Sequence, residues 1–170
     1  MNVRLLFVLA LGLGALTASS PPPLQPVAGA PVDGVRCEPL EGQAVHLHAH
    51  LTVLIAGKPY PVPSDVGRPA TAGCIYWIHT HAGDGVIHVE SPQAGHFTLG
   101  QFFALWGQPL DARNVAGVTL NGSNRVQVYL GGKAWRRDPA AIVLTQHADI
   151  VLEVGPPFTE PTPFAAWNGL

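Results

Sequence analysis

The stretch that decides the fold is "VHLHAHLTVLI", residues 45–55, in which apolar residues alternate with histidines over the first half. Successive side chains of a β-strand point to opposite faces of the sheet. His46, His48 and His50 therefore share one face, and the apolar residues between them share the other. The alternation predicts a strand with one face in a hydrophobic core and three imidazoles on the opposite face.

A second stretch, "CIYWIHTHAGDGVIHVE" at residues 74–90, repeats the combination of β-prone and histidine residues. It predicts two strands, residues 74–79 and 86–90, joined at residues 82–85, where Asp-Gly is typical of a hairpin turn. His79 and His81 repeat the His-x-His spacing at the end of the first of these strands. His88 and Glu90 share a face of the second strand.

The rest of the chain is also dominated by strand signals. One helix is predicted at about residues 98–106, with Thr98 as the N-cap and Gly107 as the stop. Prolines restrict residues 60–63 to an edge strand. Further strands are predicted at 115–119, 125–130 and 149–154. The predicted fold class is mainly β: a compact sheet, or a sandwich or barrel, built of hairpins with one short α-helix.

The N-terminal segment has the layout of a secretory signal peptide. One positive charge, Arg4, precedes an apolar run, Leu5–Leu16, and small residues follow it. The run is shorter than the roughly 20 residues that span a bilayer, although an uncleaved anchor is the alternative. We expect an extracytoplasmic protein, periplasmic or secreted, without stable membrane insertion after cleavage. The predicted organisation is a signal peptide (1–20), a Pro-rich linker (21–33), a single β-rich domain (34–157) and a Pro-rich tail (158–170).

The cysteines favour a disulfide over a redox site. Cys37 and Cys74 are the two cysteines of the chain, and an even pair in an exported protein favours a disulfide. They are too far apart for a CxxC redox motif.

Without Arg4, eight Lys and Arg residues stand against eleven Asp and Glu. Nucleic acid is not an expected partner, because phosphate binding needs clustered basic residues.

The histidines predict a metal site. Two imidazoles of a strand His-x-His leave the same face about 6–7 Å apart at Cα, and both can reach an ion about 2 Å from each nitrogen. The preferred ligands are His79 and His81, with one or two of His48, His50 and His88. Because six imidazoles cannot bind one ion, the others must orient the ligands or form a second site.

Two acidic residues are expected to assist the predicted metal site. Asp84 or Glu90 would orient an imidazole through its other nitrogen, or act as a general base on a metal-bound water. Imidazoles without thiolate suit zinc or copper(II). Met1 is the only methionine, so the mature chain offers no thioether for copper(I).

The strings "YWIHTHAGDGVIHVESP" and "FTLGQFFALWG" resemble sequences that recur in a group of uncharacterised exported bacterial proteins. The resemblance covers about residues 44 to 155. It implies bacterial export, and it brings no activity with it.

Three hypotheses of function follow from the sequence. The first is binding of zinc or copper for metal handling. The second is a small metal-dependent enzyme that uses a metal-activated water. The third is a binding or structural module, or a pH sensor, whose histidines are polar packing. No Gly-x-Ser-x-Gly or P-loop motif is present.

Overall fold

The computed structural model describes residues 28–170. The predicted signal peptide and the first part of the linker, residues 21–27, lie outside the described residues. Within residues 28–170 the elements are β1 (Cys37–Glu38), β2 (Val45–Ile55), β3 (Lys58–Pro59), β4 (Ile75–Tyr76), β5 (Ile78–His79), β6 (Val86–Ser91), α1 (Leu99–Trp106), β7 (Asn114–Val115), β8 (Val118–Thr119), β9 (Arg125–Leu130), β10 (Lys133–Ala134), a 3-10 turn (Pro139–Ala141) and β11 (Asp149–Gly155).

The main sheet has the strand order β10-β9-β11-β2-β6-β5, with β3 paired to β2. Strands β2 and β11 are parallel and lie at its centre, and the other neighbours are antiparallel. Two small ladders, β1-β4 and β7-β8, stand beside it. The mainly β fold class with one short helix is confirmed. The parallel pair is not a hairpin, and it joins the two ends of the domain.

The first face of the main sheet forms the hydrophobic core. Leu51 of β2 lies opposite Ile150 of β11, and Ala49 lies opposite Ile87 of β6. All four side chains are buried. Helix α1 covers this core and contributes two large buried side chains, Phe102 and Phe103. The alternation of residues 45–55 therefore places the imidazoles on the second face of the sheet.

The helix begins and ends as the sequence predicts. The side chain of Thr98 accepts a hydrogen bond from the backbone N–H of Gln101, and the Gln101 side chain bonds the backbone of Thr98 in return. This capping box satisfies donors that an uncapped helix leaves free. Gly107 has a φ of 71°, in the left-handed region that favours glycine at a helix end.

Three predicted strands differ from those observed. Residues 74–79 form two strands, because Tyr76 pairs with β1 while Ile78 pairs with β6. Residues 115–119 form the tight hairpin β7-β8, with positive φ at the two turn residues between the strands. The edge strand predicted at 60–63 lies instead at Lys58–Pro59. The prolines at 59, 61 and 63 have no backbone N–H to donate, so the segment cannot form a longer ladder.

The disulfide between Cys37 and Cys74 is present, with a Cα–Cα distance of 5.4 Å. This prediction is confirmed. The bond joins β1 to the residue that precedes β4, and the β1-β4 ladder continues it. The chain after β1 is therefore held close to the histidine-bearing strand β5.

The C-terminal residues lie along the second face of the sheet. The Phe164 ring stacks on the His50 ring, with centroids 3.7 Å apart. The Phe164 N–H donates to Asp149 at 3.0 Å, and the Thr159 hydroxyl donates to Glu153 at 2.5 Å. The predicted Pro-rich tail thus packs on strands β2 and β11. None of the helices in residues 28–170 has the length and apolar character needed to cross a membrane.

Candidate metal centre

The register of three neighbouring strands collects polar side chains on the second face. His48 of β2 lies opposite His88 of β6, and His88 lies opposite His79 of β5. In the same ladder His46 lies opposite Glu90. Directly opposed residues have Cβ atoms about 4.5–5.5 Å apart, so five polar side chains meet here.

His79 is held in one orientation by a hydrogen bond at its far side. Its Nδ1 lies 2.9 Å from the carbonyl oxygen of Tyr76, and because a carbonyl only accepts, Nδ1 carries the hydrogen. The lone pair is then on Nε2, which lies 3.1 Å from Nε2 of His81. A backbone carbonyl that fixes the tautomer is a common support of metal-binding histidines.

We call His79, His81, His88 and Glu90 the primary group. Each can offer one donor atom such that all of these atoms lie within 4.8 Å of one another. Glu90 Oε2 lies 3.7 Å from Nε2 of His79, and Glu90 Oε1 lies 3.7 Å from Nδ1 of His88. Imidazoles and a carboxylate at such separations could hold a metal ion.

Glu41 also belongs to this region, although it is not among the site residues predicted from the sequence. Its Oε1 lies 3.8 Å from Nε2 of His81 and 3.9 Å from Nε2 of His79. The next residue, Gly42, donates its N–H to the Glu90 carbonyl at 3.3 Å. A Cβ at Gly42 would lie 2.0 Å from the Pro92 nitrogen, so this close approach requires glycine. The available signal was a carboxylate four residues after a cysteine of the predicted disulfide.

A second group consists of His46, His48 and Glu90, whose donor atoms also lie within 4.8 Å of one another. Nε2 of His46 is 3.4 Å from Glu90 Oε1. The backbone of His48 is held on both sides. Its N–H donates to the Gln146 side chain at 2.8 Å, and its carbonyl accepts from the His147 N–H at 2.7 Å. Glu90 is common to both groups.

Three buried polar atoms of these groups lack a hydrogen-bond partner among the described residues. They are Nδ1 of His48, Nδ1 of His88 and Oε2 of Glu90. Leaving such an atom unsatisfied costs about 1–3 kcal/mol, and most proteins avoid it. A cation bound among them would satisfy the lone pairs of these atoms.

Burial sets the protonation states of the cluster. It lowers the pKa of His79 to about 4 and the pKa of His88 to about 3, where His81 and His48 add repulsion. Burial and then the neighbouring His46 lower the pKa of His48. The imidazoles are therefore neutral near pH 7, which is the form that binds metals.

The carboxylates of the cluster face one another. Burial and then the negative charge of Glu41 raise the pKa of Glu90. Within residues 28–170, the ion pairs of both glutamates are with histidines alone. A cation bound beside the two carboxylates would balance their negative charge.

Two residues proposed from the sequence lie apart from both groups. His50 has Nδ1 3.4 Å from Asp149 Oδ1, and its Nε2 donates to the Asp84 carbonyl at 3.1 Å. Phe164 covers its ring. The Asp84 carboxylate accepts the Val86 N–H at 3.0 Å and so closes the turn before β6. His48, His79, His81, His88 and Glu90 are brought together.

The fold and the cluster define the class: a β-sheet protein with a His/Glu cluster that could hold a metal ion. Comparisons of the chain with models of protein families, with curated proteins and with solved structures gave no match. The site alone must therefore support the function.

Proposed function

We propose that this protein binds a divalent transition metal, zinc or copper(II), at the primary group and serves in metal handling outside the cytoplasm. The observation that carries the proposal is the pair of facing nitrogens, Nε2 of His79 and Nε2 of His81, 3.1 Å apart. The carbonyl of Tyr76 fixes the first imidazole so that its lone pair is presented to the second.

A purely hydrogen-bonded cluster accounts for fewer of the contacts. Without a metal, the Nε2–H of His81 can donate a hydrogen bond to Nε2 of His79, and this bond satisfies only these two nitrogens. His88 Nδ1 and Glu90 Oε2 then stay buried without partners. A cation accepts all of these lone pairs together, so it satisfies the cluster more fully.

The donor set supports the proposed choice of metal. Three imidazoles and one carboxylate match the nitrogen and oxygen ligands that zinc takes at a tetrahedral site. Copper(II) accepts the same ligands in a tetragonal arrangement. The disulfide between Cys37 and Cys74 and the signal-like N-terminus support a location outside the cytoplasm, where thiols are oxidised.

A second candidate function is a small metal-dependent enzyme. The side chains of His81 and Glu41 are 40% and 38% exposed, so one side of the primary group is open to solvent. A water bound to the metal on this side would have a lowered pKa. Glu41, rather than Asp84, is the carboxylate placed to accept its proton, because Asp84 closes a turn.

The experiment is a titration of the protein without its signal segment with zinc and with copper(II), after removal of bound metal by a chelator. His79→Ala/His81→Ala is expected to lower the affinity by at least a hundredfold. His50→Ala is the matched control, since it removes a buried imidazole of the same sheet face and should leave binding intact. Equal, weak binding by the wild type and the double variant would contradict the proposal.

X-ray absorption of the loaded protein separates handling from catalysis. A closed shell of protein donors favours handling. An additional water oxygen at the metal favours the enzyme, and hydrolysis assays with Glu41→Gln then test the proposed base.

A further inference from the structure

We propose that Glu90 bridges two metal ions, the first in the primary group and the second at His46 and His48. This inference rests on the proposed function for the first ion. The Glu90 carboxylate touches both groups. Its Oε1 lies 3.4 Å from His46 Nε2 and 3.7 Å from His88 Nδ1, and its Oε2 lies 3.7 Å from His79 Nε2. A carboxylate in this position can donate one oxygen to each of two cations.

The donors exceed what one ion can use. The two groups together contain five imidazoles and the Glu90 carboxylate, whereas zinc sites in proteins are almost always four-coordinate. His88 lies between the groups. Its ring is stacked on His79, with centroids 5.5 Å apart, and meets the edge of His48 at 4.7 Å. The primary group already supplies four donors to the first ion, so the imidazoles of His46 and His48 are left to bind a second ion.

His48 gives an independent indication of a second metal ion. Its residue is only 7% exposed, yet its Nδ1 has no hydrogen-bond partner among the described residues. Its ring is packed between the rings of His46 and His88, with centroids 5.1 and 4.7 Å away, so the ring cannot easily turn to find one. A cation between His48, His46 and Glu90 would supply the missing partner.

The two positions differ in their access to solvent. His79 is fully buried, whereas the His46 side chain is 45% exposed. The second group also has three donors, one fewer than the primary group. We therefore expect the second ion to bind more weakly and to exchange faster than the first. Carboxylate-bridged pairs of ions in other proteins lie about 3.5–4 Å apart.

Equilibrium dialysis with zinc tests the stoichiometry. We expect two equivalents in the wild type and one in His46→Gln/His48→Gln. The wild type binding a single equivalent, or the variant still binding two, overturns the second ion and leaves the first in place. No binding by the wild type overturns the proposed function as well. Circular dichroism shows whether each variant is folded.

Copper(II) paramagnetic resonance of the wild type gives a result that does not depend on any variant. The first equivalent should give the full signal of an isolated copper(II) ion. The second should reduce the signal per copper, because a shared carboxylate couples the two spins. A signal that doubles with the second equivalent would show separate ions and overturn the bridge.

Discussion

The metal-free protein should lose stability in mild acid because two buried imidazoles resist protonation in the folded state. Burial lowers the pKa of His79 to about 4 and of His88 to about 3, from an ordinary value of 6.5. Between pH 6.5 and 4.5 the unfolded chain takes up protons that the folded protein does not. The free energy of unfolding therefore falls as the pH falls through this window.

The size of the loss follows from these values. Each imidazole contributes about 2 kcal/mol between pH 6.5 and 4.5, so the two together contribute about 4 kcal/mol. His48, whose pKa is also lowered, acts in the same direction. Glu90 opposes them near the acid end of the window, because its raised pKa lets the folded state bind a proton earlier. A loss of about 4 kcal/mol is a large part of the 5–15 kcal/mol typical of a domain.

The assay is urea denaturation followed by tryptophan fluorescence, in the presence of a chelator, at pH 6.5, 5.5 and 4.5. His79→Gln/His88→Gln is the control, because glutamine keeps a polar side chain and does not titrate. Its free energy of unfolding should change much less over this window. An equal pH dependence in the wild type and the double variant would refute the reasoning.

Three further predictions concern the fold. Reduction of the bond between Cys37 and Cys74, which are 37 residues apart, should lower the free energy of unfolding by about 4 kcal/mol; unchanged urea midpoints with and without reductant would contradict this. Phe102→Ala, at a side chain with no solvent exposure, should cost about 3–5 kcal/mol in thermal unfolding, and a loss below 1 kcal/mol would show that α1 does not cover the core. Thr98→Ala should cost about 1 kcal/mol through loss of the cap, while Thr98→Ser should cost less.

Features encoded in neighbouring residues could be read from the sequence. The period-2 alternation of residues 45–55 predicts both the core face and the imidazole face of β2. The cap and the stop of α1 follow from Thr98 and Gly107 for the same reason, since each acts within one turn of the helix. The disulfide was predictable because only one pairing was possible.

Features that depend on distant contacts could not be read in this way. The pairing of Tyr76 with β1 divides the predicted strand 74–79. The sequence of residues 74–79 gives no sign of this division, because it depends on a partner strand far away in the chain. His50 obeys the same alternation as His48, yet Phe164 of the tail and Asp149 of β11 hold it apart. Glu41 reaches the cluster only because the chain after β1 folds back over Glu90.

The most direct test is a crystal structure of the zinc-loaded protein with anomalous diffraction at the zinc edge. We expect an anomalous peak about 2 Å from the coordinating nitrogens of His79, His81 and His88, with Glu90 as an oxygen ligand. A zinc-loaded crystal with no peak at this group, and with metal only at exposed positions such as His96, would contradict it.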